Sequence, residues 1–370
     1  MGLPNTPNNA MNTTFWKNKR VFLTGHTGFK GGWMSLWLSQ MGAQVTGFAL
    51  EPNTNPSFFD LVGIERDVQS QIGDIRNLNL LKTAITDCQP DIVFHLAAQP
   101  LVRLSYEEPL ATLDTNVMGT AHVLEACRGV SSIKAAVVVT TDKCYENKEW
   151  HWGYRENEPL GGHDPYSASK ACAEIVTSAY RRSFFTEASS CLIATARAGN
   201  VIGGGDWSKD RLLPDILNDF SKGTPVTIRS PNAIRPWQHV LEPVAGYLRL
   251  AERLCSEQGP DFATAWNFGP PDEGCQSVQW IVKTMQTLWG EGADYTVTTE
   301  PQPHEATFLK LDCSRARDLL QWQPVWTLEE TLETMVHWYK AFNEQEDMRT
   351  QALNTLNQYA AAQSKTARSA

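Results

Sequence analysis

The chain has 370 residues, 42% of them hydrophobic and 20% charged, with a net charge of −9 and a pI near 5.4. The length suits two domains, or one large domain with a smaller lobe. The acidic balance argues against a general nucleic-acid surface, and no apolar run approaches the roughly 18 residues that a membrane span requires. Eight cysteines without a CxxC pair or a His/Cys cluster read as reduced thiols of a cytoplasmic protein, with no disulfide framework and no metal site.

In chain order, residues 1–14 are polar and read as a disordered tail, within which Met11 is a second candidate start. Strands are predicted at 20–25, 44–50, 67–74, 91–98, 135–142 and 191–199. Helix-like stretches lie between them at 31–41, 76–88, 108–128 and 166–185. Apolar strands alternating with helices predict a Rossmann-type α/β fold, a doubly wound parallel sheet covered on both faces. The sheet domain is expected over 15–200. After it the texture becomes short segments punctuated by Gly, Pro and Trp ("GGGDW", "RSPNAIRPWQH", "NFGPPDEG"). Residues 201–345 therefore read mainly as a smaller mixed lobe, some of whose segments return to the first domain. A functional cleft is expected between the two. Residues 346–370 are polar and Ala/Gln-rich and read as a frayed helix or tail.

"VFLTGHTGFKGGW" places Gly25, Gly28 and Gly31 between the first strand and the first helix. There Gly25 permits a tight turn, Gly28 a close approach of backbone to a pyrophosphate, and Gly31 close packing of helix on strand. The helix start then offers free N–H groups to phosphates. His26, Thr27, Phe29 and Lys30 complete this dinucleotide-binding turn. His26 is unusual, because a small residue is the expectation there; it either touches the cofactor or faces solvent.

"DPYSASKACAE" sets Tyr166 and Lys170 four apart, on one helical face. A lysine ammonium beside a phenol favours the phenolate, drawing the pKa from about 10 towards neutrality. Such a group takes a hydroxyl proton while a nicotinamide takes hydride. Thr141, at the end of the fifth strand, adds a hydrogen bond to the substrate hydroxyl. Asp142 and Lys143 follow it at once. Simple oxidation needs neither, but elimination needs both an acid for a leaving hydroxyl and a group to deal with a carbon-bound proton. Lys143 serves either as that base or as a charge that stabilises an enolate.

These features together resemble the extended short-chain dehydrogenase/reductase superfamily. "TTDKCY" is similar to the "TDE" motif of its nucleotide-sugar 4,6-dehydratases, with Lys143 in place of the glutamate. "AAQPLVRLSY", "GNVIGGGDW", "IRPWQHVLEP" and "PHEATFLKLDCS" resemble, within that family, the enzymes acting on CDP-glucose. The resemblance implies NAD as cofactor, with Asp74 and Ile75 at the adenine and Leu96, Ala97 and Ala98 at the cofactor ribose. It implies CDP-glucose as substrate, contacted by Gln99, Asn200 and Arg235, with Arg103 and Arg211 as further candidates. The reaction it implies is loss of water from CDP-D-glucose to give CDP-4-keto-6-deoxy-D-glucose, on the way to dideoxysugars of the bacterial O-antigen. A homodimer or homotetramer is implied as well. One feature departs: the second strand ends "GFAL", and the acid expected for the adenosine ribose comes late, as Glu51. His304 and Glu305 are candidates for clamping the nucleotide end, and His239 reads as a structural hydrogen-bonder. The alternatives are a different nucleotide-sugar dehydratase, a 4-epimerase or reductase of the same superfamily, or a non-catalytic NAD-sensing regulator.

Overall fold

The structure, a computed structural model, describes residues 11–186, 191–298 and 308–369; His304 and Glu305 lie outside them. Seven strands form one sheet: β1 (Arg20–Thr24), β2 (Gln44–Ala49), β3 (Val68–Ile72), β4 (Ile92–His95), β5 (Ala135–Val139), β6 (Leu192–Ala198) and β7 (Ala265–Phe268). Their order is β7-β6-β5-β4-β1-β2-β3, and every pairing is parallel. The central strands carry side chains buried on both sides, because helices cover both faces; β5, "AAVVV", is buried throughout. One core forms on each face. Val21, Leu23, Phe94 and Val137 point into the first, and Phe22, Val93, Ala136 and Val138 into the second. The winding direction reverses between β1 and β4. Crossovers on the two sides therefore leave a crevice at the carboxyl ends of these strands.

Four helices matter for the site: α1 (Phe29–Gln40), α2 (Pro165–Ser183), α3 (Leu212–Ser221) and α4 (Leu241–Leu254). α2 starts on Asp164, whose carboxylate accepts from the Ser167 amide, with Pro165 at its first position. This cap sets the rotation that turns Tyr166 and Lys170 towards β5.

The seventh strand comes from residues 265–268, a segment after 200 of the kind expected to return to the first domain. Other expectations are corrected. The helix expected over 108–128 is interrupted by a π-turn at Asp114–Met118. Order begins by residue 11, not 15: Asn12 caps the turn Thr13–Trp16, and buried Trp16 donates from Nε1 to Glu252 at 2.7 Å. Of the frayed helix or tail expected after 345, the structure has a helix, α5 (Met348–Ser369), but a docked one, with Met348, Ala352, Leu356 and Tyr359 buried. Its Tyr359 hydroxyl donates to Glu242 of α4 at 2.6 Å, and Arg349 pairs with Asp67 at 2.8 Å. Its sparse apolar residues have no local signature; distant partners create their burial.

Candidate active site

The crevice at the switch point is one continuous cleft of about 580 Å³. Its first limb is built by the glycine turn. Gly25 has φ of +81°, and a Cβ there would lie 2.7 Å from the Ala97 amide nitrogen. A Cβ on Gly31 would lie 2.0 Å from the Gly25 carbonyl oxygen. Only glycine lets α1 start this close to β1 and β4. No side chain caps that start at Gly28, so its first amides stay available to an anion. A cradle of this form fits the pyrophosphate of a dinucleotide. Thr27, Gly28, Phe29, Lys30, Asp74, Ile75, Leu96, Ala97 and Ala98 all line this limb. Glu51 lines it too, so the carboxylate missing from the end of β2 is supplied just past it. Asp74 is held by Arg76 in a salt bridge of 2.6 Å.

His26 does not line the cleft. Its imidazole is buried behind the turn, with Nε2 bonded to the Ser70 hydroxyl at 2.7 Å and the ring edge-on to Phe59. It fills space left by Gly47, where a Cβ would come within 2.2 Å of the ring, and burial pulls its pKa down to about 4. The cofactor contact expected of it is thus replaced by packing against β2 and β3. Gln99 also turns away from the cleft. Its side chain donates to the Thr112 hydroxyl at 2.8 Å and to the Leu101 carbonyl at 3.1 Å.

Thr141, Asp142, Lys143, Tyr166 and Lys170 meet where the two limbs join. Thr141 ends the extended run after β5, and the short turn Asp142–Cys144 follows it. The Thr141 hydroxyl donates to Asp142 Oδ1 at 3.0 Å and shares a hydrogen bond with the Tyr166 phenol. Asp142 is buried, and its Oδ2 has no partner. Burial pushes its carboxyl up, opposed by Lys143, Thr141 and Arg235, so it keeps a proton to higher pH than a free aspartate.

The phenol departs from expectation. Burial pushes Tyr166 up to about 12, with the Thr141 hydrogen bond opposing. Lys170 directs its ammonium to the Val139 carbonyl at 3.3 Å, and burial pulls it down to about 8 with Glu174 opposing. In this low-dielectric pocket desolvation of the phenolate outweighs the Thr141 hydrogen bond and the charge of Arg211, so ionising Tyr166 requires further positive charge beside it.

Two functional groups were missed in the sequence, and a third has a wider role than was read. Lys30 was read as part of the glycine turn, yet its partly buried side chain also reaches the reaction centre, 3.3 Å from the Tyr247 hydroxyl. Burial and the like charges of Arg211 and Lys170 pull it down to about 7, Asp142 opposing. Tyr247 comes from α4, and no local signal marks it. Glu174 stands one turn beyond Lys170, and the i, i+4 spacing could have found it. It accepts from the hydroxyls of Thr140 at 2.6 Å and Thr195 at 2.8 Å, and pairs with Arg197 at 2.8 Å. Burial alone would raise its carboxyl, but Arg197 and the two hydroxyls hold it below the usual range. Glu174 thereby ties α2 to the ends of β5 and β6. Glu174→Ala leaves the Arg197 guanidinium buried and unpaired, and should cost about 3–5 kcal/mol. A urea midpoint unchanged in that variant would refute this tie.

The second limb carries the cations. Asn200 and Arg235 line it, with Arg235 buried. Arg211 pairs with Asp206 at 2.8 Å. Arg103 also lines it and pairs with Asp210 at 3.7 Å. His239, expected to be structural, accepts from the Leu241 amide at 3.2 Å and stacks edge-on against Trp326. Among the described residues no group of three His, Cys, Asp or Glu side chains suits a metal, and all eight cysteines are free thiols. No helix there is long and apolar enough to cross a membrane.

Proteins with this sheet order, and with a tyrosine and a lysine one helical turn apart facing the first βα turn, form the extended short-chain dehydrogenase/reductase class, and this chain is one of them. Residues 22–335 match the family described as GDP-mannose 4,6 dehydratase. The chain is 55% identical over 352 residues to the CDP-glucose 4,6-dehydratase of Salmonella typhimurium, covering 94% of this chain and 98% of that one. It therefore belongs to the GDP-mannose 4,6-dehydratase family. Among solved structures it is similar to a dTDP-glucose 4,6-dehydratase from Streptomyces venezuelae with NAD bound (TM-score 0.76, 19% identity, 89% and 99% covered). It is likewise similar to a UDP-glucuronic acid 4-epimerase from Bacillus cereus in complex with its nucleotide sugar and NAD (TM-score 0.76, 22% identity, 87% and 99% covered).

Proposed function

We propose that this chain is an NAD-dependent dehydratase that converts CDP-D-glucose to CDP-4-keto-6-deoxy-D-glucose and water. The observation that carries the reading is the pair Asp142–Lys143 set directly beside Thr141 and Tyr166, in a chain so similar to a CDP-glucose 4,6-dehydratase. An epimerase or reductase gives Asp142 no task, and a non-catalytic regulator has no use for Tyr166 and Lys170.

Gly25, Gly28 and Gly31 would hold NAD on the glycine limb, and the bound nicotinamide would supply a reversible hydride acceptor for C4 and C6. Tyr166 takes the proton of the C4 hydroxyl, with Thr141 orienting that hydroxyl and Lys170 supporting the phenolate. The resulting 4-ketone acidifies the C5 proton. Lys143 removes that proton or stabilises the enolate left behind. Asp142, whose carboxyl is pushed up by burial, protonates the C6 hydroxyl, which departs as water. Arg235, Arg211 and Asn200 hold the diphosphate, where guanidinium geometry suits phosphate oxygens. Such a product feeds dideoxysugar and O-antigen synthesis in the cytoplasm.

The deciding experiment is a panel of CDP-, UDP-, dTDP- and GDP-sugars, with and without added NAD. It is read by the ultraviolet absorbance that 4-keto-6-deoxy sugars develop in alkali. Turnover of CDP-glucose well above the others is expected; preference for another nucleotide, or an epimer as product, would overturn the reading.

We infer further that the chain works as at least a homodimer. The face of α2 and of the helices before it exposes Leu110 (80%), Ile175 (57%) and Met118 (48%), an apolar set large for a lone surface. Ala171 does not belong to this face, because it packs into the core. Sedimentation at micromolar concentration should give a dimer or tetramer, and Leu110→Glu with Ile175→Glu should dissociate it. A wild-type monomer would end this proposal.

A further inference from the structure

The base of the nucleotide sugar must lie on the side of the diphosphate cations away from Tyr166. Beyond Arg211 and Arg235 the cleft is walled by the first turn of α3 and by the short strand Val226–Ile228. α3 buries Leu213, Ile216 and Leu217 in the core and turns Leu212 and Asp215 to the cleft. The strand pairs on one edge with Tyr295–Val297, through the Val226 amide and the Ile228 carbonyl. Its other edge, which carries the N–H and C=O of Thr227, has no paired strand among the described residues. Aliphatic walls, one free strand edge and one carboxylate make a slot for a flat heterocycle with hydrogen-bonding edges.

Three carboxylates line this limb, and two are committed. Asp206 pairs with Arg211 at 2.8 Å and accepts from the Ser208 amide. Asp210 pairs with Arg229 at 3.1 Å and Arg103 at 3.7 Å. Asp215 has neither an ion pair nor a side-chain hydrogen bond among the described residues. A half-buried carboxylate without a partner is costly, unless a ligand supplies the donor.

We propose that Asp215 reads the base, accepting a hydrogen bond from the exocyclic amine of cytosine. This rests on the CDP reading above. A carboxylate pairs with the N4 amine of cytosine, whereas uracil and thymine present a carbonyl oxygen at the same position. Two acceptors would then face each other, and both would lose solvent without gaining a partner. The device selects cytosine largely by penalising the other pyrimidines. Arg229 and Arg103 are both ion-paired with Asp210 and act on Asp215 only through their charge, so the hydrogen-bonding capacity of the Asp215 carboxylate stays open to a ligand.

The test is calorimetric titration of CDP and of UDP into the full-length wild type, Asp215→Asn and Asp215→Ser, each shown to be folded by unchanged NAD binding. Neither titration requires turnover. The wild type should prefer CDP by roughly tenfold to a hundredfold. Asp215→Asn, whose amide can both donate and accept, should bring the two affinities within a few-fold, mainly by gaining UDP. Asp215→Ser should do so mainly by losing CDP. Retention of the wild-type preference in both variants overturns the assignment of Asp215 while leaving CDP as the substrate nucleotide. A wild type that does not prefer CDP overturns the CDP reading itself, and this inference with it.

Discussion

Tyr166→Phe should abolish the first hydride transfer. Turnover is expected to fall by about 10²–10⁴, the range in which a positioned proton acceptor contributes. The signature is more specific than the size. With enzyme, NAD and substrate in a single turnover, no reduced nicotinamide should appear, because C4 cannot lose hydride while its hydroxyl keeps the proton. Cofactor binding should be nearly unchanged, since the glycine limb does not depend on the phenol oxygen. The phenol hydroxyl touches the Thr141 hydroxyl, so phenylalanine leaves one buried hydrogen bond unmade, a stability loss of about 1–3 kcal/mol. That loss is too small to unfold a chain of this size and leaves the kinetic result readable. Burial holds Tyr166 at about 12 in the protein's own field. Proton loss must therefore be driven by positive charge brought next to the phenol, and Lys170→Met should slow the same half-reaction without affecting the later steps. Appearance of reduced nicotinamide at the wild-type rate in Tyr166→Phe would refute the role.

Lys143→Ala and Asp142→Asn should stop the reaction at two different later points. In Lys143→Ala, C4 should still be oxidised and reduced nicotinamide should accumulate, but exchange of the C5 proton with deuterated water should be lost. Lys143 also lowers the pKa of Asp142 by its charge. Removing it leaves Asp142 more readily protonated, so a loss of elimination in this variant cannot be blamed on a missing acid. In Asp142→Asn the C5 proton should still exchange, while release of the C6 hydroxyl should fall by roughly 10²–10⁴. The buried and unpartnered Oδ2 of Asp142 beside Gly199 explains why asparagine fits there: the amide has the shape of the carboxyl it replaces. Normal turnover in Lys143→Ala, or undiminished C5 exchange, would reduce that lysine to a surface charge. Identical behaviour of the two variants would show that the two steps are not separable as assigned.

What could be read along the chain was whatever has a local cause. The central strands announce themselves, because a parallel sheet covered on both faces demands continuous apolar runs such as "AAVVV"; the edge strand β3, "VQSQI", is mostly exposed and has no such run. The glycine turn does so because positive φ at Gly25 and the contact of Gly31 with the Gly25 carbonyl admit no Cβ. Tyr166, Lys170, Thr141, Asp142 and Lys143 were legible because a helical turn and a strand end fix their spacing. Tertiary structure decided everything that depends on residues distant in sequence. "AWNF" at 265–268 becomes a sheet strand only because the edge of β6 is open to it. The Ala/Gln-rich α5 is docked by Tyr359 reaching Glu242, more than a hundred residues away. His26 was read as a cofactor neighbour from its place in the motif, but the space that Gly47 leaves free draws its ring behind the turn. Lys30 and Glu174 acquired their roles in the same way. Their charges matter through the burial imposed by α4, β5 and β6, and desolvation is a property of the folded surroundings that no spacing of residues encodes.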